Sequence, residues 1–306
     1  MRHSKHVVKQ KAVLKKVMTR YFGTMKVDTV LNRETVVPGE ELSGEVHLKS
    51  VSSLKKVDII VLSIMQQFMV REDRFDNLPL KTIEIQLTEE QKQEKQVQIP
   101  FSFELPAHTP HTSKRYKCWL QTDVNVPNKV DPRDMDGLHV TQHPYVQTVD
   151  RVFTEVLQFQ NTQRNEVIYY IHLDNNKYDK TWLYGPTPSH IQNQVERHPL
   201  YPLLSKRDVP FVQEFEYRPS PHFAEKYKEV ELVYDFTDDG VDIYAELQFL
   251  PRGELSKEEY FRMKALDRDE VIHCMSFTHE EIDNEELIAE RFLKLLEGAE
   301  PPEELR

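Results

Sequence analysis

Along most of the chain, hydrophobic and polar positions alternate one for one, the period of an extended strand with one buried face. In "QIPFSFELPAHTPHT" (98–112), Ile99, Phe101, Phe103 and Leu105 fall on one parity, and Pro100, Ser102, Glu104 and Pro106 on the other. Proline gives no N–H to a sheet ladder, so Pro100 predicts a strand start or a sheet edge. Pro106 and Pro110 end the strand and leave His108 and His111 in a loop. Phe101 and Phe103 are both expected to be buried. Period two also runs through Val27, Thr29 and Leu31, and again from Leu42 through Gly44 and Val46 to Leu48, with a Pro38-Gly39 turn between in which Gly39 can take positive φ. "VDIIVLSIMQQFMV" is apolar enough for a central strand, and "KTIEIQL" and "YKCWLQTDVNV" complete a series whose economical architecture is a β-sandwich.

At Pro144 the period changes. Val146, Val149, Val152, Phe153, Val156 and Leu157 follow helical spacing, so a connecting helix is expected over 144–160. Strands resume with "EVIYYIHL", "PFVQEFEYRP", "KEVELVYDF", "VDIYAELQFLP" and "VIHCMSF". The segment near 175–208 has no steady period and reads as an insertion. "SKEEYFRMKAL" predicts a short helix capped by Ser256, and "DNEELIAERFLKLLEG" a final one with Asp283 or Asn284 as cap and Gly298 as stop. At the other end, Val7, Leu14, Val17, Met18 and Tyr21 recur at helical spacings, which predicts an amphipathic arm over residues 1–23.

The expected class is therefore all-β: a β-sandwich over 24–143, a connecting helix over 144–160, a second sandwich over 161–278, and a helix and tail over 279–306. A chain of 306 residues suits two domains. Charge sharpens this picture. The net charge of −11 argues against nucleic-acid binding, yet the arm carries Lys9, Lys11, Lys15, Lys16 and Arg20 and no acid, while residues 279–306 hold ten acids against three basic side chains. The five arm cations are the candidate contacts for a partner or an anionic membrane. No apolar run approaches the ~20 residues of a membrane span, and the first residues lack a secretory h-region, so the expected location is cytoplasmic. Peripheral attachment at the inner face of the membrane would follow if the arm bound lipid.

Candidate chemistry is sparse. "VDPRDMDG" places Asp131, Asp134 and Asp136 before a glycine, but an EF-hand alignment puts Pro132 at position one and His143 at position twelve, where carboxylates are required; an acidic interdomain turn is the preferred reading. Pro110 prevents His108 and His111 from lining up on a helix as metal ligands. Cys118 and Cys274 show no CxxC spacing and are read as reduced, buried thiols. With eight glycines in the chain, neither a phosphate cradle nor a GxSxG elbow is found. Phe101, Phe103, Trp119, Phe211, Phe215 and Tyr217 read as core. No catalytic residue, cofactor or metal site is assigned.

In this order, "VPGEELSGEV", "IPFSFELPAHTPHT", "CWLQTDVNVPNKVDPRDMD", "PFVQEFEYRP" and "EVELVYDFTDDGVDIYAEL" resemble the SpoOM sporulation-control family of arrestin-like bacterial proteins over roughly residues 24–278. The resemblance implies two arrestin-like β-sandwiches in tandem and a non-enzymatic regulatory adaptor in sporulation or cell-state control. Such an adaptor works through protein partners, with self-association and an anionic membrane surface as further expected contacts. An enzyme assembled from dispersed histidine and acidic residues is the competing class, and it requires a concave cluster with shifted pKa values.

Overall fold

The computed structural model describes residues 25–71, 74–127, 132–169, 200–205, 209–251, 269–302 and 305. The basic arm, the "SKEEYFRMKAL" segment, Asp131 and most of the insertion at 175–208 lie outside these residues. The described part is a β-rich chain with a few helices, none long and apolar enough to cross a membrane.

The first half is two facing sheets. One orders β1 (Met25–Leu31), β3 (Glu41–Ser50) and β6 (Gln96–Glu104) as β1-β3-β6. The other is built on β4 (Ile59–Arg71), flanked by β5 (Arg74–Ile85) and β7 (Cys118–Asn125), and continues through β8 (Arg133–Val140) to β2 (Thr35–Val36). Alternation decides which face is covered: Val27, Leu42, Val46 and Leu48 from one sheet and Ile60, Leu62, Ile64 and Leu120 from the other are fully buried in one core. Each such side chain contributes about 1.5–3 kcal/mol by leaving water. Gly39 turns β2 towards β3 with φ +84°, as its place after Pro38 predicts. Gly44 is required for packing, since a Cβ there would run into the Val30 carbonyl and lie 2.9 Å from the Phe101 ring.

Pro100 sits on β6, an edge of the three-stranded sheet, where its missing N–H does no harm. Phe101 is buried. Phe103, expected to be buried as well, is only partly so. It lies next to the end of the edge strand, stacked on Phe101 and covered by Lys81, whose Nζ is 5.8 Å from the ring centre.

A short capped helix, α1 (Glu89–Gln93), precedes β6, and α2 (Pro144–Arg151) follows β8, with a π-helical turn at Val152–Val156. Beyond it, β9 (Gln160–Asn161) and β10 (Val167–Tyr169) both pair with β11 (Phe211–Arg218). A meander of β12 (Tyr227–Thr237), β13 (Gly240–Phe249) and β14 (Glu270–Thr278) completes the sheet, and α3 (Tyr201–Leu204) and α4 (Glu285–Gly298) pack on it. Of the two caps expected for α4, Asn284 is the one used: its side chain accepts from the Leu287 N–H at 3.1 Å.

The all-β class stands, and the described residues show how one face of the second-half sheet is covered. One face of the β11–β14 sheet is closed by helices: Val149, Val152 and Phe153 from α2 and its π turn, and Ile288, Phe292 and Leu296 from α4, pack on Phe215, Leu232, Ile243 and Phe277. An amphipathic helix with a wide apolar stripe does for this face what a second sheet does in the first half. The two halves are moreover stitched together, since β10 pairs with β4 in parallel through Ile168 and Met69.

Candidate functional site

Sequence-designated residues gather at three places. The first is the junction between the halves. His108 and His111 do lie in a loop after β6, but they line a small cavity with His143, Gln213, Phe215 and Tyr234. Its volume is about 30 Å³, room for one water molecule. The His111 main-chain N–H donates to Gln213 Oε1 at 3.2 Å, its Nε2 lies 3.2 Å from Asn165 Nδ2, and its ring stacks on Phe215. Burial pulls its pKa down. His143 begins α2: its Nδ1 accepts from the Tyr145 N–H at 3.2 Å while the ring rests on Phe236 at 4.1 Å. Burial lowers it to about 4, which keeps Nδ1 free to cap the helix at neutral pH. The sequence carried one signal for His143, namely its position just before Pro144 at a helix start. Among the described residues, no group of three or more His, Cys, Asp or Glu is placed to hold a metal ion.

The second place is the "VDPRDMDG" segment, and here the sequence reading is corrected. Asp134 and Asp136 are not in an interdomain turn; they lie two apart on β8, which brings both to the inner side of the first-half sandwich. Asp134 is 1% exposed, and its Oδ2 accepts from the Thr29 N–H at 2.6 Å. Thr29 in turn hydrogen-bonds Thr122, hydroxyl to hydroxyl, at 2.7 Å. Asp134 Oδ1 and Asp136 Oδ2 are both buried without a partner, and the two carboxyl groups are within hydrogen-bonding reach of each other. One proton shared between them would satisfy both. Burial first, then Asp134, Asp28 and Glu34, raise Asp136 to about 7.

A carboxyl whose folded pKa is raised stabilises the fold below its unfolded value, near 3.8, and loses that contribution as pH climbs through about 7. Asp136→Asn supplies a permanent donor to Asp134. Because Asp136 keeps some solvent contact, the expected gain is only about 1 kcal/mol at pH 8, and none at pH 4. Urea unfolding at the two pH values reads the difference; a variant weaker than wild type at pH 8 would refute the shared proton.

The third place went unread in the sequence. On the face of the β11–β14 sheet away from α2 and α4, Glu216, Glu231 and Glu246 stand opposite one another on adjacent strands, with Glu214 and Glu270 on neighbouring rungs. Leu200, Leu203 and Leu204 pack on the same face against Val212 and Val233. Burial, followed by mutual repulsion, pushes the carboxyls of Glu214, Glu231 and Glu246 upwards. Each falls on the polar parity of its strand, which is how a solvent-facing residue also reads.

The remaining designated residues separate. Cys118 is buried and its thiol is raised to about 12 by burial, but Cys274 is exposed, contrary to the expectation for both. Phe211, Phe215 and Tyr217 are core, whereas Trp119 is only partly buried. Lys9, Lys11, Lys15, Lys16 and Arg20 lie outside the described residues.

Comparison with known proteins places this architecture. The sporulation-control protein spo0M of Bacillus subtilis (strain 168) is 27% identical over 241 residues, covering 76% of this chain and 78% of that one. The crystal structure of Spo0M from Bacillus subtilis superposes with a TM-score of 0.61 at 24% identity, over 90% of this chain and 99% of that chain, which establishes a shared fold. The SpoOM protein family model matches residues 14–174 and 189–248, most of the sequence. With that coverage, and with the β-rich fold in common, the chain belongs to the SpoOM protein family.

Proposed function

We propose that the chain is a non-enzymatic regulatory adaptor in sporulation or cell-state control, working through contacts with other proteins. The observation that carries this reading is the family match over most of the chain, together with a relative named for sporulation control. The geometry supports it in a second way. The perturbed groups are dispersed among a water-sized cavity, a carboxyl pair inside a sandwich and a covered carboxylate ladder, so no concave cluster of the kind an enzyme requires is formed among the described residues.

We read the chain as two modules, 24–143 and 161–278, joined by segment 144–160 and flanked by the basic arm and the acidic C-terminal segment. Separate hydrophobic cores in the two halves favour this division. The arm cations Lys9, Lys11, Lys15, Lys16 and Arg20 are the proposed partner contacts outside the modules. Packing of the arm onto protein is favoured over an anionic membrane, because the acidic C-terminal segment offers complementary charge. Co-sedimentation with anionic vesicles, comparing the intact chain with one lacking residues 1–22, separates the two: arm-dependent binding that persists at moderate salt would favour the membrane.

Deleting the gene in its own organism and scoring sporulation or growth-phase transitions tests the regulatory role. Crosslinking in the living cell before lysis identifies the partners. A deletion without phenotype and a chain that crosslinks to nothing would overturn the adaptor reading.

A further inference from the structure

The β14 strand is the last in its sheet, paired with β13 without a break in register from Gly240↔Thr278 to Gln248↔Glu270. Which of its main-chain groups face outward follows from the bonds that extend this ladder. The Phe249 N–H donates to the Asp269 carbonyl at 2.9 Å and the His279 N–H to the Asp239 carbonyl at 3.2 Å. In an antiparallel pair the bonded positions alternate, so the odd-numbered residues of β14 bond to β13 and the even-numbered ones point away. Thr278 has its N–H taken by Glu281 at 2.9 Å. The N–H and C=O groups of Ile272, Cys274 and Ser276 have no hydrogen-bond partner among the described residues.

Exposed edges are ordinarily guarded by proline, lysine, a bulge or shortness, because an open row of donors and acceptors templates another strand. Over its nine residues, β14 reads EVIHCMSFT, with no proline, no lysine and no bulge. Beside it, Met275 of β14 and Leu295 and Ala299 from the α4 side floor a groove of about 420 Å³, with His273, Arg291 and Lys294 also on its wall. Arg291 lies over the Phe277 ring at 4.2 Å and pairs with Glu281 at 3.8 Å, whereas Lys294 has no acidic partner among the described residues. In a chain of net charge −11, an apolar groove with a cationic wall beside an open edge is a specific combination.

We propose that the outer edge of β14 is the docking strand for an extended acidic segment of a partner protein, an assignment that rests on the adaptor reading. The added strand bonds to the main chain at Ile272, Cys274 and Ser276 and turns every second side chain into the groove; these groove-facing positions carry both apolar groups, set on Met275 and Leu295, and carboxylates, set towards Arg291 and Lys294. A second copy is a poorer occupant, since two-fold pairing of β14 with itself sets both cationic walls side by side.

The test uses the full chain and fluorescent peptides, followed by anisotropy, in which every second residue is threonine and the groove-facing positions between them alternate valine with glutamate or valine with lysine. The glutamate peptide is expected to bind saturably and at least about tenfold more tightly than the lysine peptide. Ser276→Pro removes an outward N–H without touching the β13 ladder, and Lys294→Glu reverses an exposed charge. Each is expected to weaken binding about tenfold with an unchanged melting temperature, and hydrogen exchange should slow at residues 272, 274 and 276 when peptide binds. Absent or charge-independent binding, protection elsewhere, or self-association through this edge without peptide would overturn the proposal. If partners crosslinked in the cell are kept by Ser276→Pro and Lys294→Glu, the edge assignment fails while the adaptor reading survives.

Discussion

Replacing Phe292 with alanine is expected to destabilise the protein by about 3–5 kcal/mol. The ring is fully buried, meets Phe153 edge-on at 4.8 Å and stacks near Phe277 at 6.3 Å, so it joins α4, the π turn and β14 in one contact. Alanine removes the transfer free energy of the ring and leaves a cavity that three separate elements would have to move to fill. Against a total stability of about 5–15 kcal/mol, that loss leaves the second half marginal. Urea unfolding measures it, with Leu293→Ala, one position along and 38% exposed, as the near-neutral control. A loss for Phe292→Ala below about 1 kcal/mol would mean that α4 does not close this face of the sheet.

Glu246→Gln should act in the other direction, raising stability by about 1–3 kcal/mol at pH 8. Its carboxyl is held protonated first by burial and then by Glu270 and Glu231, so ionising it costs folding free energy. The sign follows from proton uptake: the folded chain binds more protons than the unfolded one, stability is complete below the ordinary glutamate value of about 4.5, and it is lost as pH rises from there towards about 11, the value to which Glu246 is raised. Glutamine keeps the hydrogen-bonding shape without the charge, so the variant and wild type should converge at pH 4 and part as pH rises beyond about 4.5. Melting curves across that range decide the matter. A variant less stable than wild type at pH 8 would show that Glu246 is ionised and held by a cation.

What the sequence made legible depended on whether one strand alone carried the signal. Period two located β1, β3, β6 and β12, and the shift to helical spacing at Pro144 located α2, because each face is written in consecutive residues. The partner across that face is not. Nothing in "EVELVYDF" says whether Val230 and Leu232 meet a sheet or a helix, so although both helices were foreseen, their packing on this face was not. The same gap hid the carboxylate ladder, since the register joining Glu216, Glu231 and Glu246 is set by three strands that have to be paired before their glutamates meet. "VDPRDMDG" misled for a different reason: proline, aspartate and glycine are turn formers, and they outweighed the alternation of Asp134, Asp136, Leu138 and Val140, which all turn inward on β8. The open edge of β14 was likewise unreadable, because "VIHCMSF" looks the same whether it has one neighbour or two.

The junction of β4 with β10 has a consequence for synthesis. Strand β7 covers β4 only from Ile59 to Gln66, and the apolar tip of β4 at Phe68, Met69 and Val70 is packed by Val167, Tyr169 and Phe211 instead. A ribosome makes the chain from its N-terminus at roughly 5–20 residues per second, so the first sandwich can close its core many seconds before Phe211 emerges. Until then the nascent protein carries a sticky strand end that only Leu78, Tyr116 and Phe75 of the first half cover in part, and that interval is when a chaperone would find it or a neighbouring nascent chain would capture it.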